Sequence, residues 1–227
     1  YLELKGVGGM LRRAASAASL PMIAAATPGL EHLLVLGKIK ELEREGAADL
    51  IIVDAPPAGH AAPFLRSATG LSDVVQSGPV RDQAVEVDAM LRDPARCQAM
   101  VVALPEETPV TEAIGLADEL RGEIGLGLLP FVVNSCWSDR PGLAKSPAMA
   151  ARSHKVKLTP AAREALASSA QFGRERLERQ RHQIDRIRTE LGLPMARLPR
   201  LATPRLTIHD LGTRAYALGE PLLEPGS

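Results

Sequence analysis

The sequence predicts an α/β protein: a mostly parallel, doubly wound sheet carrying a helical subdomain. Three observations carry that reading. Apolar runs without polar alternation recur along the chain, as expected of parallel strands buried on both faces. Helical patterns lie between them, so the units are of βαβ type with right-handed connections. Each run ends at a residue able to face a ligand. Asp54, Glu106, Asn134 and Pro199 are therefore expected along one rim, outside the carboxyl ends of the strands, where open sheets bind their ligands.

In chain order, the first 47 residues read as helices, with Ala-rich Met10 to Leu20, then Pro28-Gly29, then Leu30 to Leu42, apolar on one face. Lys5-Gly6-Val7-Gly8-Gly9-Met10 has the look of a phosphate loop. No apolar strand leads into it and no Lys-Ser/Thr pair ends it, so it reads as a turn between helices. The strongest strand candidate is Asp49 to Val53, ending at Asp54 and a Pro-Pro pair. A second run, Ala99 to Leu104, passes into a helix through Thr111, Ala113, Leu116, Ala117 and Leu120, with Thr108 or Thr111 available as N-cap. A third run, Leu128 to Val133, precedes Asn134.

From Ser138 to Thr159 the composition shifts to Pro, Gly, Ser, Lys and Arg, which predicts a mobile connection. Pro160 to Leu191 then carries a long helical pattern with an apolar stripe of Leu166, Phe172, Leu177, Ile184, Ile187 and Leu191, which Gly173 is expected to interrupt. Its six arginines between Arg174 and Arg188 alternate with Glu175, Glu178 and Asp185, the pattern of a solvated, salt-bridged face. The stripe is too continuous to stay in water, so it is expected to bury against a partner chain or client. A last strand, Met195 to Leu198, ends at Pro199. The expected organisation is a central domain portion over 1–137, the connection and helical subdomain over 138–192, and the last strand with a C-terminal helix over 193–227.

Composition limits the function. A chain of 227 residues, 45% hydrophobic, can bury one sizeable core. Lys+Arg and Asp+Glu both count 27, so no net field attracts a polyanion and no nucleic-acid partner is expected. No apolar run reaches the length of a membrane span. Cys97 and Cys136 have no ligand-spaced neighbours, which fits a reducing cytoplasm and neither a zinc knuckle nor a disulfide scaffold. His32, His154, His182 and His209 lack partners at metal-ligand spacing. Ser135-Cys136 has no His or Asp pattern near it and reads as a buried small thiol. The chain opens at Tyr1, so a further segment upstream is expected.

Asp54-Ala55-Pro56-Pro57-Ala58-Gly59-His60 is the stretch richest in chemistry. An aspartate at a strand end keeps its charge with a partner, and Mg²⁺ with its water shell is a natural one. Gly59 can bring a backbone N–H to a terminal phosphate, so the pair can act as a γ-phosphate sensor. The alternative is a buried aspartate capping the next helix.

With Asp49-Leu-Ile-Ile-Val before it and Phe64-Leu65-Arg66 after it, this stretch resembles the switch II segment of the ArsA-type ATPases, the family of arsenite-pump ATPases and tail-anchored protein targeting factors. Pro28-Gly29-Leu30-Glu31 is similar to the family's Pro-Gly helix start, and Leu104-Pro105-Glu106 with Thr111-Glu112-Ala113 to its Pro-Glu strand end. Val132-Val133-Asn134 is similar to its base-recognising segment. The resemblance is strong from about Met10 to Asn134, and closest to the actinobacterial branch. It implies a P-loop NTPase-like fold, with ATP and Mg²⁺ as ligands. Asp54 would order the Mg²⁺ water shell, Gly59 would sense the γ-phosphate with Pro57 in the same loop, and Asn134 and Pro199 would hold the adenine. Ala55 and Ala58 stand where the family carries threonines, which puts the coupling of hydrolysis to movement in doubt. His60 matches a motif position without an assigned proton-transfer role.

The family's phosphate loop, Lys-Gly-Gly-x-Gly-Lys-Thr, would lie upstream of these motifs, as would its switch I. The resemblance thus implies a cytoplasmic ATPase working as a homodimer or paralogous heterodimer on a client or membrane-protein partner, inactive without its phosphate loop. The alternative is a non-hydrolysing partner subunit of such a complex. The cysteines of an arsenite site are absent, as is a Cys-x-x-Cys dimer clasp, so arsenite transport is not expected.

Overall fold

A computed structural model of the chain describes residues 29–203 and 205–223. The Lys5 to Met10 turn, the Met10 to Leu20 helix and Pro28 lie outside the described residues. The chain divides into two compact units, one running through Ala99 with Gly115–Leu128 added, the other formed by Met100–Ile114 with Leu129 onward.

In the first unit, helices α1 (Leu30–Arg44), α2 (Ala58–Val74) and α3 (Pro79–Arg92) pack on one another. Apolar side chains recurring at helical spacing meet in its core, where Leu33, Leu36, Phe64, Ala68, Val87 and Leu91 are buried. Gly29 starts α1 with φ 84°, and a Cβ there would come within 3.3 Å of Ser67 Cβ, so this turn requires glycine twice over. Buried Lys40 is paired with Glu86 and hydrogen-bonded to Gln83 across the α1/α3 packing. Strands β1 (Gln98–Ala99) and β3 (Gly127–Leu128) pair in parallel, Gln98 opposite Gly127.

Asp49 to Val53 forms no strand. Leu50 is 75% and Ile52 84% exposed, in an extended segment without ladder partners among the described residues. The run has the right side chains, but a central parallel strand forms only between neighbours, and none pairs with it among the described residues.

The second unit is built on a three-stranded parallel sheet in the order β2 (Val102–Ala103), β4 (Phe131–Cys136), β5 (Met195–Pro199). Pro130 divides the run after Leu128, because it has no N–H to donate, so β3 and β4 are separate strands. Val132, Ala196 and Leu198 form a buried cluster, with Met100 and with Ala217 and Leu218 of the C-terminal helix α7 (Ile208–Leu223) packed against it. Helix α4 (Glu107–Glu119) starts before either threonine, so Thr108 and Thr111 lie inside it and neither is its N-cap. It runs on into a π-helical turn, Leu120–Ile124, and the division between the units falls within it.

The stretch 138–159 contains two short helical elements that its composition does not predict. It holds a 3₁₀ turn (Pro141–Ala144) and helix α5 (Pro147–Ser153), whose N-cap Ser146 accepts from the Met149 N–H. Helix α6 spans Pro160–Leu191 without a break, from an N-cap at Thr159 with Pro160 in the first turn to Gly192 in the left-handed conformation. Gly173 does not interrupt it. Instead it admits Leu143, whose Cδ1 would lie 3.1 Å from an added Cβ. The apolar stripe divides: Leu177, Ile184, Ile187 and Leu191 are buried within the chain, while Leu166 and Phe172 remain exposed. Only Leu166 and Phe172 of the stripe are therefore left for a partner. The arginines pair with carboxylates, Arg176 with Glu106, Arg181 with Asp139, Arg186 with Glu190 and Arg188 with Asp185. No helix among the described residues is long and apolar enough to cross a membrane.

Candidate functional site

The sequence-predicted residues fall into two groups, one in each unit. In the first unit, Asp54 is exposed in the extended segment that leads to α2. Pro57 is the N-cap of α2, with φ −52° and ψ 156°, and the cap carries no side-chain hydrogen bond. Asp54 is thus neither buried nor a helix cap. His60 and Ala61 donate to the Pro57 carbonyl at 2.8 and 3.0 Å, while space beside Gly59 is open. A helix start of this kind presents unsatisfied N–H groups that favour negative charge. Among the described residues no His, Cys, Asp or Glu group is clustered to hold a metal by itself. Asp54 acting through a metal's water shell needs no such cluster.

In the second unit, Asn134 and Pro199 come together at the end of adjacent parallel strands, and a residue without a sequence motif joins them. Arg214 of α7 donates from Nη1 to Asn134 Oδ1 at 3.2 Å and from Nη2 to the Pro199 carbonyl at 3.0 Å. Asn134 sits within β4 and not beyond it. There the register against β5 shifts by one residue: Val133 faces Arg197, yet Cys136 faces Pro199. Ser135 takes up the extra residue with φ 61°. A bulge of this type re-aims side chains beside ligand sites. Ser135→Val is expected to cost about 1–2 kcal/mol and to disorder Asn134, because a β-branched residue is strained at positive φ, whereas Ser135→Gly should be neutral or stabilising. Urea unfolding of both variants measures this.

The position of Arg214 depends on the start of α7. Thr207 N–H and Oγ1 donate to Asp210 Oδ2 at 2.9 and 2.6 Å, and the Asp210 N–H returns a bond to Thr207 Oγ1, a reciprocal cap. The Thr207 hydroxyl and N–H hold the Asp210 carboxyl below its usual range. A depressed carboxyl supports the fold above its unfolded pKa, and that support is lost as pH falls through the folded value. Helicity of α7 should therefore be constant above about pH 5 and decline on acidification below about pH 4, near the ordinary aspartate range. Asp210→Asn, followed by circular dichroism, should flatten that decline.

Trp137, which follows β4 directly, is held with unusual care. Gln180 of α6 is buried, accepts from the Trp137 N–H at 2.7 Å and donates to its carbonyl at 3.0 Å. The guanidinium carbons of Arg176 and Arg200 stand 4.7 and 4.4 Å from the indole centroid, within cation–π range. Arg200 also closes the β4/β5 end, its N–H donating to the Cys136 carbonyl at 2.8 Å. Sequence reasoning missed Trp137, Gln180 and Arg214. The signal available was a lone tryptophan three residues after Asn134, in a chain with one Trp. Burial pushes the Cys97 and Cys136 thiols up.

No family model matches the chain. Against individual curated proteins it is 34% identical over 113 residues to ATPase BagA of Mycobacterium tuberculosis, a match covering 47% of this chain and 33% of that protein. It is 27% identical over 114 residues to the arsenical pump-driving ATPase of Escherichia coli, covering 49% of this chain and 19% of that protein. The same identity and coverage hold against the arsenical pump-driving ATPase of Acidiphilium multivorum. About half of the chain is thus similar in sequence to proteins named as ATPases. The chain spans about a third of the mycobacterial relative's length and about a fifth of the two arsenical pump-driving ATPases. The ArsA-like resemblance read from the Asp54 to His60 stretch and from Val132-Val133-Asn134 thus agrees with sequence similarity to proteins named as ATPases.

Proposed function

We propose that this chain is the downstream part of an ArsA-like ATPase, with its adenine site at the ends of β4 and β5 and its γ-phosphate switch at Asp54 to Gly59. The observation that carries the reading is the joining of Asn134 to Pro199 through Arg214, in a chain whose relatives are ATPases. ATP and Mg²⁺ are the ligands, Asp54 holding the metal through water and Gly59 moving with the γ-phosphate, beside Pro57. Residues 138–192 serve as the helical subdomain of the nucleotide-binding domain. Between the 3₁₀ turn, α5 and α6 lies an open, largely apolar cavity of about 540 Å³, lined by Leu143, Ala150, Val156, Leu166 and Phe172 among others. With Met149, Val156, Leu166 and Phe172 exposed, this face suits an apolar client segment, handled by a homodimer or paralogous heterodimer that closes around nucleotide. The work takes place in the cytoplasm.

Hydrolysis requires charge stabilisation of the transferred phosphoryl group, mostly by a phosphate loop and its Lys. The 227 residues contain no Gly-Lys-Ser/Thr sequence. Ala55 and Ala58, where the family carries threonines, favour a second reading, a non-hydrolysing partner subunit. Steady-state phosphate release separates the two. The 227-residue chain is expected to release none above background, and a longer product of the same locus, where it supplies a Gly-Lys-Thr loop, is expected to turn over ATP. Release by the chain alone, abolished by Asp54→Asn, would overturn the assignment of catalysis to an upstream loop. A longer product without such a loop establishes the partner-subunit reading.

A further inference from the structure

The structure assigns to Arg214 a role in nucleotide selection: by fixing the Asn134 side-chain amide with its NH₂ outward, it makes Asn134 a hydrogen-bond donor to a ring-nitrogen acceptor of a purine. The inference rests on the adenine site proposed above and adds the residue that sets its polarity. A guanidinium has only donors, so the Asn134 atom facing Arg214 Nη1 must be the amide oxygen. The NH₂ is then directed away, and it has no partner among the described residues. The Arg214 bond takes one lone pair of Oδ1 and fixes the plane of the amide, so the direction of its NH₂ is set with it. The second guanidinium bond, to the Pro199 carbonyl, ties the same orientation to the end of β5, so the amide is held from one side and the strand end from the other. The bulge at Ser135 supplies the backbone turn that aims Asn134 at Arg214.

The Arg214 Nε is buried with no hydrogen-bond partner among the described residues, as is Arg176 Nε, so the guanidinium is held through Nη1 and Nη2. Lysine could not substitute, since a single ammonium on a flexible stem lacks the planar fork that spans Asn134 and Pro199 together. The ligand class is therefore a purine nucleotide read through an unprotonated ring nitrogen, and discrimination comes from one donor of fixed direction.

The test titrates the 227-residue chain with MgATP and with its 1-deaza, 3-deaza and 7-deaza analogues, each of which replaces one ring acceptor by C–H. Wild type is expected to bind ATP at millimolar concentration and to bind one of the three analogues about 3–10-fold more weakly, the size of one neutral hydrogen bond. Arg214→Gln and Arg214→Lys should lose that discrimination while melting near the wild-type temperature. Asn134→Asp is the complementary variant. It keeps, and adds charge to, the contact with Arg214 but has no donor to offer, so it should bind ATP at least tenfold more weakly and treat all three analogues alike. Wild type that binds no purine nucleotide overturns the adenine site itself. Wild type that binds ATP and all three analogues equally, Arg214 variants that keep the discrimination, or Asn134→Asp that binds ATP as well as wild type, each overturn the inference while leaving the site standing.

Discussion

In a longer form of the protein that carries a phosphate loop, Asp54→Asn is expected to lower ATP turnover about 10²–10³-fold, the size seen when one preorganised charge-stabilising contact is removed. Asp54 ends an exposed extended segment, and no side chain among the described residues shares its carboxylate. Its charge is therefore available for the waters of a bound Mg²⁺, and charge-assisted bonds to such waters are about twice as strong as those an amide accepts. Because the side chain is exposed, the melting temperature should not move. The loss should fall on kcat, with the Mg²⁺ concentration for half-maximal rate raised. Turnover within twofold of wild type, at any Mg²⁺ concentration, would remove Asp54 from the site.

Gln180→Leu should produce the largest loss of stability, about 2–4 kcal/mol. The reason is an asymmetry of hydrogen bonding: a bond's net contribution is small, but a buried donor or acceptor left alone costs about 1–3 kcal/mol. Leucine fills the space of Gln180 and strands both the N–H and the carbonyl of Trp137. Gln180→Glu keeps an acceptor for the N–H and loses the donor to the carbonyl, so it should fall between leucine and wild type. Trp137 is the chain's one tryptophan, and its fluorescence, quenched or shifted as the two arginines leave the ring, reports the unfolding directly. Equal denaturation midpoints for all three proteins would show that Gln180 carries no such load.

Legibility in the sequence followed how local the determining physics was. The Pro160 to Leu191 helix has its cap, its Pro and its terminal Gly within the segment, and the structure agrees at both ends. Met195 to Leu198 likewise forms a strand, whereas Leu128 to Val133, read as one run, divides at Pro130. Asp49 to Val53 failed because the pattern describes what a buried strand needs, not whether neighbours are present to bury it. In the stretch 138–159, Ser146 and Pro147 are a helix start that its loop-like composition concealed. At the site, Asn134 and Pro199 stood out by their places at the ends of apolar runs. Arg214 did not, because it is one arginine on a C-terminal helix, 80 positions from the amide it holds. The bulge at Ser135 was unreadable too, as a serine carries no mark of a positive φ.

The central claim is that the β4/β5 strand end, with Asn134 and Pro199 joined by Arg214, receives the base of an adenine nucleotide. Backbone and side-chain amide NMR of the 227-residue chain, titrated with MgATP to tens of millimolar, tests it most directly. The account predicts saturable shifts at the Asn134 side-chain NH₂, at the Arg214 guanidinium and at the Arg200 N–H, fitting one dissociation constant. Shifts confined to other residues, or none at these three as ATP is raised, would contradict it.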